Sequence, residues 1–72
     1  MLERIGIKCT EEEERAILGM CANTFPYFEV AENLKGYLNG TESISIKTLS
    51  ALKQQKEAIE RTIRIQFRGE DF

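Results

Sequence analysis

Large hydrophobic residues in the last third of the chain fall on a single stripe of an α-helix. Beginning at Leu49, they stand at Leu49, Leu52, Ile59 and Ile63, with spacings of three, seven and four residues. Such spacings keep side chains on one helical face. The pattern predicts a long C-terminal helix near 45–66, capped by Ser43 or Ser45.

Two shorter helices are predicted before it, near 11–24 and 27–38. Thr10 and Glu13 have the spacing of a capping box, in which each side chain bonds the backbone of the other residue. Pro26 disfavours helical dihedrals at Phe25, so the first helix should stop or kink there. Gly40 supplies the left-handed residue that commonly follows the end of a helix, which predicts the end of the second.

These elements predict an all-α fold, either an antiparallel helical hairpin or a small three-helix arrangement with a long C-terminal helix. Residues 1–72 form one domain, in which 1–9 and 68–72 are expected to be flexible ends. An α+β alternative stays open, because apolar and polar residues alternate from Ile63 to Phe67 and this segment would pair as a short strand with Arg4 to Lys8.

Composition removes several classes of function. The chain has 10 Lys and Arg against 12 Asp and Glu, a net charge of −2 and no histidine. The basic footprint of a nucleic-acid binder is missing, so nucleic acid is not the expected partner. No catalytic, cofactor-binding or metal-ligating residues are predicted. Cys21 is expected to be a small buried hydrophobe and Cys9 a partly accessible free thiol. No apolar run is long enough for a signal peptide or a membrane span, which predicts a cytoplasmic protein without membrane insertion.

The function predicted from the stripe is binding to another protein. A chain of this length buries only about 60% of the surface that its unfolded form exposes, so a deep core made by helices alone is not expected. The candidate partner-binding residues are Leu49, Leu52, Ile59, Ile63 and Phe67. Of these, Ile59, Ile63 and Phe67 are expected to be partly exposed in the isolated chain, with self-association as a possible result, and Phe72 is a further candidate anchor.

The same region resembles a known family. Leu38-Asn39-Gly40, followed by Leu49, Leu52, Gln54, Gln55, Ala58, Ile59, Glu60 and Ile63, is similar to the small cochaperones of type III secretion needle subunits over about residues 28–66. The resemblance implies a cytoplasmic, non-enzymatic helical hairpin. Its partners would be a larger tetratricopeptide-like chaperone and, through it, a needle subunit that is kept monomeric before export.

The alternative function is a small phage- or plasmid-type regulator or inhibitor that binds a host protein or, less favoured, DNA. Asn39-Gly40 followed by Ser45 to Leu49 weakly matches the turn and recognition helix of a helix-turn-helix, but few basic residues follow. The two functions predict different degrees of exposure for the apolar stripe. A compact bundle with a closed core favours the regulator, whereas an uncovered apolar stripe favours the cochaperone.

Overall fold

The computed structural model describes residues 1–70, and over this range the chain is helical without any strand. A 3-10 turn is followed by four α-helices and a π-helical turn: Leu2–Ile5, α1 Glu11–Thr24, α2 Phe28–Asn39, α3 Ile46–Gln54, α4 Lys56–Thr62 and the π turn Ile63–Phe67. The all-α prediction is confirmed. The strand alternative is wrong, because Ile63–Phe67 forms the π turn.

The start of α1 follows from its cap. The backbone N–H of Glu13 donates to the Thr10 hydroxyl at 3.1 Å, and the Thr10 N–H donates to the Glu13 carboxylate at 2.9 Å. These bonds satisfy donors that a helix N-terminus otherwise leaves unpaired. Four glutamates in the first turn also face the positive end of the helix dipole.

Two breaks set the ends of α1 and α2. Phe25 is extended, with φ −65° and ψ 134°, so α1 and α2 do not merge across Pro26. Gly40 has φ 80° and donates its N–H to the carbonyl of Tyr37, which closes α2 as the glycine predicts. The observed bounds of α1 match the prediction, and those of α2 differ from it by one residue.

Asn33 holds the connection between α2 and α3. Its Nδ2 donates to the Ser43 carbonyl at 3.0 Å, while its Oδ1 accepts from the Ser45 N–H at 2.9 Å. Ser45 then caps α3, because its hydroxyl accepts from the N–H of Thr48 at 3.1 Å. One asparagine therefore fixes the point from which the C-terminal helices begin.

The C-terminal region is not the single long helix that the apolar stripe predicts. Gln55 has φ −102° and ψ 17°, and its N–H donates to the carbonyl of Leu52, three residues earlier, at 3.0 Å. The ladder of bonds to the fourth preceding residue is interrupted at Gln55. Gln55 consequently separates α3 from α4, whereas α4 continues into the π turn through helical dihedrals at Thr62 and Ile63.

The N-terminal arm belongs to the core, so the expectation of a flexible end is wrong for residues 2–7. Leu2 is fully buried and Ile7 is 1% exposed. The N–H of Leu2 donates to the Glu14 carboxylate at 2.8 Å, which ties the arm to α1. Two large apolar side chains thereby join a core that the helices alone would leave open.

The opposite end is tied to the same place. The Arg68 guanidinium donates to Glu13 at 3.1 Å and to the Lys8 carbonyl at 3.1 Å. Arg68 was expected within a flexible end, and it instead bridges the π turn, the arm and α1. Phe72, the other candidate anchor, lies outside the described residues.

A closed apolar core results from these connections. Its buried members come from the arm and from all four α-helices, together with the first residue of the π turn: Leu2, Ile7, Ile17, Leu18, Cys21, Ala22, Val30, Leu34, Leu52, Ile59 and Ile63. Cys21 is buried and Cys9 is partly accessible, and both are free thiols, as predicted. The helix α1 packs against α2 and the π turn.

Candidate protein-binding groove

The stripe predicted to bind a partner lies mostly inside the chain. Leu52 is fully buried, Ile59 is 4% exposed and Ile63 is 2% exposed. The expectation that Ile59 and Ile63 remain partly exposed is therefore wrong, because both belong to the core that includes residues of the N-terminal arm and of α1. Leu49 is half-buried, and Phe67 alone among the five candidates is exposed, at 37%.

An apolar groove opens between the same helices, and Ile59 of the stripe is one of its lining residues. Its volume is about 380 Å³, and it runs between the second half of α1 and the α3–α4 segment, with the 25–27 connection at one end. Its lining residues are all uncharged: Ile17, Met20, Cys21, Thr24, Phe25, Pro26, Tyr27, Ala51, Gln54, Gln55, Ala58, Ile59 and Thr62. A surface with this lining favours an apolar ligand, because no charge on the protein compensates the desolvation of an ionic one.

The two walls of the groove differ in side-chain size. Met20 on the α1 side is 37% exposed, and Tyr27 in the 25–27 connection is 59% exposed. On the α3–α4 side, Ala51, Ala58 and Thr62 are small. Small side chains on one wall let the backbone of a bound segment approach closely, while larger side chains on the other wall supply contact area.

The threonines of the groove are already hydrogen-bonded. The hydroxyl of Thr24 donates to the carbonyl of Met20 at 2.9 Å, and the hydroxyl of Thr62 donates to the carbonyl of Ala58 at 2.9 Å. Each bond joins the side chain to its own helix, so neither threonine hydroxyl is left as an unsatisfied donor in the groove. Apolar contact with these residues consequently carries no cost for an unpaired hydroxyl.

Exposed aromatic residues flank the groove at the break between α1 and α2. Phe28, which follows the lining residue Tyr27, is 76% exposed. Pro26 ends α1 just before this pair, and α2 begins at Phe28 without a side-chain cap at Tyr27. The break therefore presents two aromatic rings to solvent, a feature common at protein interaction sites.

A basic surface borders the small-residue wall. Lys53, Lys56 and Arg61 line a shallow depression with Glu57 as its single acid. Gln54, Gln55 and Ala58 line both this depression and the groove, so the two surfaces are continuous. The apolar groove thus has a positively charged border on its α3–α4 side.

Neither thiol is activated as a nucleophile. Burial raises the pKa of the Cys21 thiol above its ordinary value. Burial also raises the pKa of Cys9, and the carboxylates of Glu14 and Glu13 add to that shift. Both residues are therefore held as thiols rather than thiolates at neutral pH. Residues 1–70 also contain no group of three or more His, Cys, Asp or Glu side chains placed to hold a metal ion.

The first turn of α3, which the helix-turn-helix interpretation would place on DNA, has little basic surface free. Ile46 is 83% exposed there, and the ammonium group of Lys47 is paired with Glu29 of α2. A recognition helix presents basic and amide side chains to base edges at this position. An exposed isoleucine and a paired lysine fit that role poorly.

Comparison with known proteins identifies no relative. No protein-family model matches the chain, and no curated protein and no solved structure is significantly similar to it. Among the helices of residues 1–70, none combines the length and the apolar character needed to cross a membrane.

Proposed function

We propose that this chain is a small non-enzymatic protein-binding module of the regulator or inhibitor class, and that it binds a segment of its partner in the groove between α1 and α3–α4. The observation that carries the proposal is the groove itself, lined only by uncharged residues and flanked by exposed Tyr27 and Phe28. Exposed apolar surface of this kind marks sites of protein interaction.

The closed core supports the regulator class over an obligate cochaperone. Leu52, Ile59 and Ile63 are covered by the chain itself, so the stripe does not require a partner to leave water. The role of needle-subunit cochaperone, with a tetratricopeptide-like chaperone as its partner, is the alternative proposal. It depends on the sequence resemblance alone.

The shape of the groove favours a protein segment over a small metabolite. Small-molecule sites usually enclose most of their ligand's surface. This groove is only partly enclosed, and the aromatic side chain of Phe28 lies outside its lining. A partner long enough to reach both the groove and the aromatic pair gains contacts that a small ligand cannot make.

The test is capture of a partner by variants that differ only in the groove. Ala58→Arg places a large side chain in the groove from an exposed position, and Ser50→Arg makes the same chemical addition at an exposed position of α3 outside it. Tagged wild type and Ser50→Arg should capture the same protein from native lysate, and Ala58→Arg should lose it. Equal circular dichroism spectra would verify that the three chains are folded. A partner captured equally by Ala58→Arg would refute binding in the groove.

A further inference from the structure

We infer that the occupant of the groove is an acidic amphipathic helix of a partner protein. The inference rests on the proposed function, since it assumes that the groove binds protein, and it adds the secondary structure and the charge of the bound segment. Three features carry it: the geometry of the two walls, the limited apolar area and the distribution of charge.

The walls of the groove suit a helix. Glu13, near the start of α1, contacts Arg68, which follows the π turn. Thr24, at the end of α1, lines the same groove as Ala51 of α3. The helix α1 therefore runs antiparallel to α3–α4, and a third helix fits between two such neighbours. On the α3–α4 wall, Ala58 and Thr62 stand four residues apart in α4, so both place a small side chain on the same helical face.

An extended partner segment lacks a matching template. Strand addition requires an exposed sheet edge that supplies backbone donors and acceptors. The chain from residue 1 to residue 70 is helical and offers no such edge. A helix satisfies its own backbone groups and needs from the groove only apolar contact, which is what the uncharged lining provides.

A second copy of the chain is disfavoured as the occupant by area. Met20, Tyr27 and Phe28 are 37%, 59% and 76% exposed, which gives about 350 Å² of apolar surface if each side chain offers roughly 200 Å². A stable dimer usually buries about 800 Å² on each partner. Since about 65% of a homodimer interface is apolar, a stable dimer needs roughly 520 Å² of apolar surface on each partner. The three side chains supply less than this, so a single helix suits the patch better than a dimer interface.

Charge is distributed asymmetrically along the chain. Residues 46–68 contain six Lys or Arg and two Glu, a formal charge of +4, whereas residues 1–45 contain four Lys or Arg and eight Glu, a formal charge of −4. The groove thus lies between an acidic N-terminal region and a basic C-terminal one. Its small-residue wall belongs to the basic region.

Two basic side chains beside the groove are free to pair. Lys53 and Arg61 are exposed and, within residues 1–70, take part in no ion pair, whereas the ammonium group of Lys56 lies beside Gly6 of the N-terminal arm. A helix whose apolar face fills the groove would bring its flanking residues beside this border. Carboxylates there gain attraction, and lysines there are repelled, so the border selects an acidic helix.

The experiment uses two designed helical peptides of about 18 residues, which is five turns. Both carry leucines at three- and four-residue spacing, and they differ only in having glutamate or lysine beside that stripe. Fluorescence anisotropy measures binding of each peptide to the full chain, and amide chemical shifts in nuclear magnetic resonance locate it. The acidic peptide should bind about tenfold more tightly at low salt, the ratio should fall as salt rises, and shifts should concentrate at Met20, Thr24, Ala51 and Ala58.

Variants of the border give the matched control. Lys53 and Arg61 are both exposed, so Lys53→Glu with Arg61→Glu should leave the fold intact and reverse the preference between the peptides. Ala58→Arg should abolish binding of both. Retained folding is verified by the thermal midpoint of each variant.

Each contrary outcome overturns a stated part of the inference. Equal binding of the two peptides, or tighter binding of the basic one, would refute the acidic partner while the proposed function stands. Absence of peptide binding, together with lysate capture that Ala58→Arg abolishes, would refute the helix but not the groove. Sedimentation of the chain as a dimer that Ala58→Arg dissociates would assign the groove to a second copy. If duplex DNA competes with the acidic peptide, the basic border would be a binding surface for the phosphates of nucleic acid. Loss of both peptide binding and groove-dependent capture would refute the proposed function itself.

Discussion

Truncating Ile63 should remove a large fraction of the stability of this chain. Ile63 is 2% exposed and belongs to the core that includes Leu2, Ile7 and Ile59. Replacing a buried isoleucine by alanine costs about 2–5 kcal/mol, because apolar contact is lost and a cavity remains. At about 0.05–0.15 kcal/mol per residue, a chain of 72 residues has a free energy of unfolding of about 4–11 kcal/mol.

The measurement is urea unfolding followed by far-ultraviolet circular dichroism. With a slope near 1 kcal/mol per molar urea for a chain this small, the midpoint of Ile63→Ala should fall by about 2 M or more. Ile65→Ala is the matched control, because Ile65 is 47% exposed in the same π turn and the same side-chain atoms are removed. Its midpoint should move by less than about 1 M, since roughly half of that side chain is already in water.

Equal shifts of the urea midpoint in the two variants would refute the burial of Ile63. The stripe would then be exposed and available to bind a partner. Ile63→Asp extends the test. A carboxylate at this position would be buried without a partner, and the isolated chain should unfold. Complex formation lost by Ile63→Asp while its helicity stays native would contradict the core position.

Three further outcomes are expected. Leu2→Ala should cost about 2–5 kcal/mol in urea unfolding, because Leu2 is fully buried in the core; a change below about 0.5 kcal/mol would show that the arm is not docked. Hydrogen bonds from the Arg68 guanidinium, with a backbone bond from Thr10, lower the pKa of Glu13. Because the pKa of Glu13 is lower in the folded chain, its ionised carboxylate stabilises the fold at pH values above the ordinary glutamate pKa. This stabilisation is lost as the pH falls through the pKa of the folded state. Glu13→Gln should therefore melt below wild type at neutral pH, with a difference that closes in acid; a gap independent of pH would contradict this linkage. Cys21→Ser should lower the free energy of unfolding by about 1–3 kcal/mol, because it buries a hydroxyl. In the native chain a thiol reagent should modify the partly accessible Cys9 faster than the buried Cys21. Equal modification rates would contradict the burial of Cys21.

Local signals made the helices predictable. The Thr10–Glu13 capping box, the break before Pro26 and the left-handed Gly40 each act within about four residues, and the structure has all three where the sequence places them. Burial of Cys21 follows from its position on the apolar face of α1 in the same way. Signals of this range act before any tertiary contact forms.

The candidate site was much less predictable, because it depends on which apolar face becomes covered. Helical periodicity identifies Ile59 and Ile63 as members of a stripe, but it does not show whether the covering residues come from the same chain. The groove beside Ala58 has no strong sequence signal of its own, since alanines, glutamines and threonines are equally typical of a solvated helix face. Only the aromatic pair Tyr27 and Phe28, next to Pro26, indicates in the sequence where the groove lies.

The sequence by itself therefore determined the helical class, the start of α1, the end of α2 and the break between those two helices. The tertiary structure decided that Leu2 and Ile7 close the core over the C-terminal stripe, and that Arg68 joins Glu13 and Lys8, which lie 55 and 60 residues earlier in the chain. The physical reason is range. Caps and turns are set by neighbouring backbone groups, whereas the burial of a helix face is set by contacts between distant segments, which form only when the whole chain has folded.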